Sequence, residues 1–116
     1  MLLSVFERLS LAGIVPRAGD ITTLRIVREL ERELSFSEEE LKALQFKHED
    51  GNIRWNPEAD VLKDVPIGDV GKKIIKDALV RLSESKKLTM DLFGLYERFV
   101  EGVEEKKVIQ FPTPSA

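Results

Sequence analysis

The dipeptide Asp50-Gly51 constrains the fold of this chain more than any other short stretch of its sequence. It separates two runs in which apolar and polar residues alternate, and Asp-Gly at such a junction favours a two-residue turn between antiparallel strands. Counting outward from the turn fixes the register, because a slip of one residue would turn every side chain to the opposite face. The predicted pairs are Glu49 with Asn52, His48 with Ile53, Lys47 with Arg54, and Phe46 with Trp55. The sequence therefore predicts one β-hairpin at about residues 46–55.

Helical periodicity dominates the rest of the chain up to about residue 103. Apolar residues recur there at helical spacing, which is typical of helices that bury one face. The predicted helices cover approximately residues 2–12, 20–34, 38–45, 69–82 and 89–103. The fold class is thus predicted as α+β: a single small, mostly helical domain of about four to five helices with one β-hairpin. The order helix, helix, short helix, hairpin resembles a winged-helix layout.

The clearest local signal for a helix start lies just before the hairpin. Ser37 and Glu40 have the spacing of a capping box, in which each side chain accepts the other residue's free backbone N–H. Phe36 and Leu41 have the spacing of a hydrophobic staple, and a run of acidic residues in the first turn suits the helix dipole. These patterns predict that a short third helix begins at Glu38.

Composition bounds the size and class of the protein. A chain of 116 residues with 42% hydrophobic and 34% charged residues holds one domain with a core of its own. It has no cysteine and one histidine, which excludes disulfides, thiolate nucleophiles and metal sites built from Cys or several His residues. The first residues lack the basic start of a secretory signal, and no apolar run approaches the roughly 20 residues that span a bilayer. We therefore expect a cytoplasmic protein without a membrane partner, and the scarcity of Asn and Gln beside many ion-pairing residues favours heat tolerance.

No motif in the sequence predicts catalysis. The chain lacks a Gly-rich phosphate loop, a paired-His metal motif and a nucleophile placed beside a base. Its single histidine, His48, falls on the apolar face of the hairpin and is predicted to be half-buried and structural. Trp55, beside Phe46 on the same face, is predicted to form a core aromatic pair rather than a stacking platform for bases. The prediction is a protein that is not an enzyme and uses no cofactor or metal.

Two apolar features favour binding to a protein partner. The first helix is apolar over a wide arc, so it is either buried on two sides within its own domain or shared with a partner subunit. The second feature is a short apolar patch in the segment 104–116, which the sequence predicts to be a flexible tail carrying a docking peptide. The predicted protein-binding residues are Leu3, Leu11, Ile14, Val108, Ile109 and Phe111.

The main alternative is a small nucleic-acid-binding regulator. It would use the hairpin as a wing, together with lysines in the first turns of the fourth helix, where cations oppose the helix dipole and so do not serve helix stability. The residues assigned to this alternative are Lys47, Arg54, Lys72, Lys73 and Lys76. Against it, the third helix would enter the major groove with the acidic run Glu38 to Glu40 near its N-terminus, where phosphates would repel it. The net charge of −3 also argues against non-specific binding of nucleic acid. A third option is that the same acidic run inhibits a host protein by mimicking an acidic ligand.

Several short stretches of sequence, from the first predicted helix to the last, together resemble those of a known group of proteins. They are Phe6-Glu7-Arg8-Leu9, Gly13-Ile14-Val15-Pro16, Gly19-Asp20, Thr23-Leu24-Arg25-Ile26-Val27, Leu34-Ser35-Phe36-Ser37-Glu38-Glu39-Glu40, Ile53-Arg54-Trp55, Leu88-Thr89 and Leu95-Tyr96-Glu97-Arg98-Phe99. Over about residues 2–100 this order resembles that of short uncharacterised proteins encoded by phages, prophages and related mobile elements. The resemblance implies a phage-related setting, in a host cytoplasm or a virion, and it carries no catalytic or binding residues. We therefore expect a non-enzymatic protein-interaction or assembly module, bound to a protein partner or to copies of itself.

Overall fold

The computed structural model describes residues 1–102, so the predicted tail at 104–116 lies outside the described residues. Within residues 1–102 the chain forms five α-helices and four short strands. The helices are α1 (Val5–Ile14), α2 (Ile21–Leu34), α3 (Glu38–Leu44), α4 (Asp69–Glu84) and α5 (Phe93–Phe99). The strands are β1 (Leu2–Leu3), β2 (Lys47–Glu49), β3 (Asn52–Arg54) and β4 (Lys63–Asp64), and 3₁₀ turns cover Pro57–Ala59 and Met90–Leu92. The predicted α+β class, mostly helical with a central hairpin, is confirmed.

The hairpin of β2 and β3 has the predicted register. Its Cα partners are Lys47 with Arg54, His48 with Ile53, and Glu49 with Asn52. Asp50 and Gly51 form the turn with φ angles of 50° and 80°, the left-handed values that a two-residue hairpin turn requires. All strand residues of the hairpin are exposed, and only Phe46 and Trp55 at its base are half-buried. The prediction of a half-buried His48 was therefore wrong, because the strands extend away from the core.

The chain begins with a strand where the periodicity predicted a helix. The Cα partners of β1 and β4 in their antiparallel ladder are Leu2 with Asp64 and Leu3 with Lys63. Ser4 then caps α1: its hydroxyl accepts the N–H of Glu7 at 3.1 Å, and its own N–H donates to the Glu7 carboxylate at 2.9 Å. This capping box fixes the start of α1 at Val5. The predicted start at residue 2 was wrong because apolar spacing alone does not show where the backbone leaves the helix.

One apolar core joins β1, the inner faces of α1, α2, α4 and α5, and the segment before α4. Its buried members are Leu3, Leu11, Val15, Val27, Leu30, Leu34, Val65, Ile75, Leu79 and Leu95. Leu3 and Leu11 were predicted to bind a partner, yet both are 0% exposed. That prediction is corrected: a side chain without exposed surface cannot contact a second molecule. The wide apolar surface predicted for the first helix is buried within the domain, because β1 places Leu3 in the same cluster as residues of α1, α2 and α4.

The helix α4 approaches α2 closely at Gly71. A Cβ on this glycine would lie 3.0 Å from Cδ2 of Leu30 and 3.2 Å from Cγ2 of Ile67, so the contact depends on the missing side chain. Apolar spacing alone would begin the inner stripe of α4 at Val70, but Val70 is 57% exposed and its neighbour Gly71 is buried. At the start of α4, Gly71 rather than Val70 faces the core. Val70 therefore lies at the surface beside α2.

Arg98 ties α5 to the N-terminal strand. Its guanidinium donates to the carboxylate of Glu7 at 2.7 Å and to the backbone oxygen of Leu2 at 2.9 Å. The Leu2 oxygen lies on the open edge of β1, because the ladder hydrogen bonds next to it join Met1 and Val65. The contact therefore closes a strand edge that would otherwise be free to pair with another chain, and it holds the end of α5 beside β1.

Candidate functional site

A groove with an apolar floor and an acidic rim lies between α2 and the start of α4. It encloses about 410 Å³. The floor is formed by Ile26, Leu30, Pro66, Gly68, Val70 and Gly71, and the rim by Glu29, Glu33 and Asp69. We call this surface the acidic groove. It lies beside the close contact between α2 and α4 at Gly71, and residues of α2, of the start of α4 and of the segment before α4 line it.

The rim of the acidic groove carries negative charge that nearby cations balance only in part. Glu29 pairs with Arg32 at 2.8 Å, and both side chains are 65% exposed, so solvent screens the pair strongly. Neither Glu33 nor Asp69 forms an ion pair with any residue in the range 1–102. Asp69 is the first residue of α4, where its carboxylate also suits the positive end of the helix dipole. Although an aspartate is a favourable N-cap residue, the N-cap position of α4 is occupied by Gly68 rather than Asp69.

The floor of the acidic groove leaves a large aliphatic side chain in contact with water. Val70 is 57% exposed, whereas Leu30, which also lines the groove from α2, is only 4% exposed. Covering such a side chain removes apolar surface from water and stabilises the covered state by about 25 cal/mol per Å². The groove is therefore suited to an apolar segment that also carries positive charge.

A second groove of opposite charge lies at the other end of α4. It encloses about 380 Å³ between the end of α1 and the last turns of α4. Ile14, Pro16, Ala78 and Leu82 give it an apolar floor, and Arg81 and Lys87 supply positive charge. Ile14, which the sequence predicted to bind a partner, lies here in a half-buried position. The other predicted residues do not join it, because Leu3 and Leu11 are in the core and Val108, Ile109 and Phe111 lie outside the described residues.

The cations assigned to nucleic-acid binding lie on two separate elements. Lys47 and Arg54 face each other in the hairpin, beside a depression of about 270 Å³. The Arg54 guanidinium lies 3.2 Å from the Glu49 carboxylate, which reduces the positive charge of the hairpin. On α4, Lys72, Lys73 and Lys76 are all exposed, and Lys73 pairs with Asp77 at 3.2 Å. Each group thus contains one cation that a carboxylate already partly neutralises.

Arg8 is the charged residue that sequence reasoning missed. It lies in the middle of α1 and is 1% exposed. Its guanidinium donates to the Glu40 carboxylate at 2.6 and 3.2 Å, to the backbone oxygen of Leu34 at 3.3 Å, and to that of Ser35. The plane of the guanidinium lies over the ring of Phe36, with 3.9 Å between the Arg8 Cζ and the ring centroid. We call these five residues the Arg8 network.

The Arg8 network gives one residue of the acidic run in α3, Glu40, a structural role. Hydrogen bonds from Arg8 hold the pKa of Glu40 well below its ordinary range, at about 2, although partial burial acts in the opposite direction. The same carboxylate also completes the capping box of α3 by accepting the N–H of Ser37 at 2.9 Å. Glu40 is therefore committed to the fold, and only Glu38 and Glu39 remain fully exposed for the acidic mimicry that the sequence suggested.

A signal for Arg8 was present in the spacing of α1. The buried residues of this segment are Val5, Arg8, Leu11 and Val15, which follow one another at intervals of three or four. Apolar spacing alone places Phe6 and Leu9 on the inner stripe of this segment, yet Phe6 is 39% exposed. An arginine inside an otherwise continuous buried stripe indicates a buried ion pair, but its partner is 32 positions away and only the fold brings it there.

The described part of the chain meets neither the requirements of a metal site nor those of a membrane-spanning helix. Among residues 1–102, no group of three or more His, Asp or Glu side chains is arranged to hold a metal ion. None of the helices in this range is both long and apolar enough to cross a membrane. Comparison of the chain with protein-family models, with curated proteins and with solved structures finds no match.

Proposed function

We propose that this protein is a non-enzymatic protein-interaction module that binds its partner through the acidic groove. The observation that carries the proposal is the exposed apolar floor around Val70, enclosed by the carboxylates of Glu33 and Asp69. The partner surface that fits this groove is an apolar segment with one or more lysines or arginines. The phage-related setting, in a host cytoplasm or a virion, is part of the proposal and is supported by the sequence resemblance alone.

The supporting argument is the cost of leaving this surface uncovered. Most of the apolar side chains that face α2 and α4 are packed in the core, so the exposure of Val70 is not the result of a poorly filled interior. Within residues 1–102, Val70 stays exposed and neither Glu33 nor Asp69 has an ion-pair partner. This surface gains stability when a segment of complementary charge and shape covers it, because apolar contact and charge pairing then act together.

The test compares two exposed aliphatic residues. Val70 lies in the acidic groove, and Ile21, which is 64% exposed, lies at the start of α2 and does not line it. A photo-crosslinking residue at position 70 of the full-length protein, expressed in the cells that make it, should give a discrete crosslinked species that position 21 does not give. Val70→Glu should prevent capture of the same partner, and Ile21→Glu should leave it unchanged.

Two results would overturn the proposal. The first is the absence of a discrete species at position 70, and the second is equal capture at positions 70 and 21. Light scattering on the purified full-length protein then identifies the class of partner. A mass that falls from a discrete oligomer to a monomer on Val70→Glu identifies a second copy, and an unchanged monomer identifies a different protein.

A nucleic-acid-binding regulator remains the second candidate, and one observation favours it. Every strand residue of the hairpin is exposed, so Lys47 and Arg54 are accessible to a phosphate backbone. This candidate predicts an affinity for duplex DNA that falls steeply with salt, because bound cations release the counterions of the phosphates. Lys72→Glu together with Lys76→Glu should weaken that binding. The absence of any mobility shift at low salt would remove this candidate and would leave the proposal above unaffected.

A further inference from the structure

We propose that the acidic groove is covered, within the same molecule, by the segment Lys106–Phe111 of its own chain. This inference rests on the proposed function, because it names the first occupant of the same surface. It adds a regulatory step: an external partner must displace the segment before it can bind. The inference is supported by the match in charge and apolar character between the segment and the groove, and by the length of chain that follows α5.

The segment matches the groove in both charge and apolar character. In sequence, two lysines come first and three large apolar residues follow within the next four positions: Lys106, Lys107, Val108, Ile109 and Phe111. The groove presents the complementary arrangement, with unpaired carboxylates at Glu33 and Asp69 beside the exposed Val70. The second groove does not match the segment, because Arg81 and Lys87 would repel its lysines. The lysines of the segment therefore favour the acidic groove over the second groove.

The chain continues for 14 residues beyond Gly102, the last described residue. Arg98 is bonded to the backbone of Leu2, and Leu2 is paired with Asp64 across a ladder whose strands lie roughly 4.8 Å apart. Pro66, which lines the groove, follows Asp64 by two positions. The residues from Val103 to Lys107 can span at most about 18 Å when extended. The contacts of Arg98 and Leu2 place α5 beside the strand ladder that leads to Pro66 at the edge of the groove, and the segment follows α5 on a linker of this length.

The natural absence of cysteine allows a direct test in the full-length protein. The variant Val70→Cys with Gln110→Cys places one thiol in the groove and one in the segment. The control variant Ile21→Cys with Gln110→Cys places the first thiol outside the groove at similar exposure. Under mild oxidation the groove pair should form an intramolecular disulfide roughly tenfold faster than the control pair, because docking raises the effective concentration of the two thiols. Equal rates for the two pairs, or a disulfide formed mainly between two molecules, would overturn the inference.

Charge reversal supplies an independent readout. Lys106→Glu with Lys107→Glu should slow the disulfide of the groove pair several-fold, and adding Glu33→Lys should restore much of the rate. A rate that does not respond to charge reversal would overturn the inference, since the apolar match alone would not distinguish this groove from other exposed surfaces. Salt should reduce the rate of the unchanged groove pair in the same direction.

The same variants separate failure of the inference from failure of the proposed function. If the segment masks the groove, Lys106→Glu with Lys107→Glu should increase capture of an external partner by the photo-crosslinking residue at position 70. Partner capture at position 70 without a fast disulfide would overturn the inference and keep the proposed function. The opposite result is a fast disulfide together with no partner capture, even in the charge-reversed variant. It would support docking of the segment in the groove and would overturn the proposed function.

Discussion

The Arg8 network and the projecting hairpin lie next to each other but are held in opposite ways. Arg8 is 1% exposed and bonds to residues that are 26 to 32 positions away in the chain. The hairpin pairs only with itself, and all of its strand residues are exposed. The first region depends on distant parts of the sequence, whereas the second is specified by ten consecutive residues. A local signal thus determines the form of the hairpin, and the exposure of its strands leads us to expect that it contributes little to the stability of the domain.

The two regions are connected at the base of the hairpin. The ring of Phe36, which lies under Arg8, contacts Phe46 edge-on with 5.3 Å between centroids, and Phe46 contacts Trp55 in the same manner at 6.0 Å. The indole N–H of Trp55 then donates to Asp60 at 3.2 Å, and Asp60 accepts the N–H of Val5 at 3.1 Å. This path returns to the start of α1, so the aromatic residues fix the hairpin to the helix that carries Arg8.

Removing Arg8 should have the largest effect. Arg8→Ala leaves the Glu40 carboxylate and the carbonyls of Leu34 and Ser35 without their donor, so the free energy of unfolding should fall by about 3–5 kcal/mol. The matched control is Arg32→Ala, which breaks an exposed pair with Glu29 and should cost less than about 0.5 kcal/mol. Urea denaturation measures both variants. Similar losses for the two would show that burial does not distinguish Arg8 and would contradict the comparison.

Acid should weaken the Arg8 network selectively. The pKa of Glu40 is about 2 in the folded protein against an ordinary 4.5, so its contribution to stability is fully present above pH 4.5 and is lost as the pH falls towards 2. We expect this contribution to be roughly 1–3 kcal/mol, since part of the carboxylate faces solvent. Glu40→Gln should flatten the fall of stability in that window, and Glu39→Gln, in the same helical turn, should not. A steep acid transition that Glu40→Gln leaves unchanged would assign the effect to other groups.

The junction between the two regions should have an intermediate effect. Trp55→Phe keeps the aromatic contact with Phe46 but removes the hydrogen bond to Asp60, so it should cost about 1 kcal/mol. Thermal unfolding measures the loss. If Trp55→Phe changed stability no more than a substitution in the hairpin strands, the path through Asp60 would not connect the hairpin to α1.

The hairpin strands should have the smallest effect. Ile53→Thr keeps a β-branched residue at a position that is 43% exposed, so stability should change by less than about 0.5 kcal/mol. Amide hydrogen exchange should also be faster in β2 and β3 than in α1, since few buried contacts oppose local opening of the hairpin. Slow exchange in both strands would show that a partner or another part of the chain covers them.

Local start and stop signals predicted much of the fold. The capping box of Ser37 and Glu40 and the register of the hairpin are confirmed, because each depends on groups within a few residues of one another. The candidate site was not predicted. Its floor depends on the rotation of α4 against α2, and that rotation is decided by the contact at Gly71 rather than by the apolar spacing of either helix.

The sequence by itself determined the helix starts with clear caps and the Asp50-Gly51 turn, both of which follow from short-range hydrogen bonding and backbone conformation. Only the tertiary structure decided which apolar residues become core and which become surface. It buried Leu3 and Leu11, exposed His48 and Val70, and placed an arginine in the interior opposite a carboxylate from another helix. The physical reason is that burial depends on what lies opposite a side chain, and the opposing residue is chosen by the packing of whole elements rather than by its neighbours in sequence.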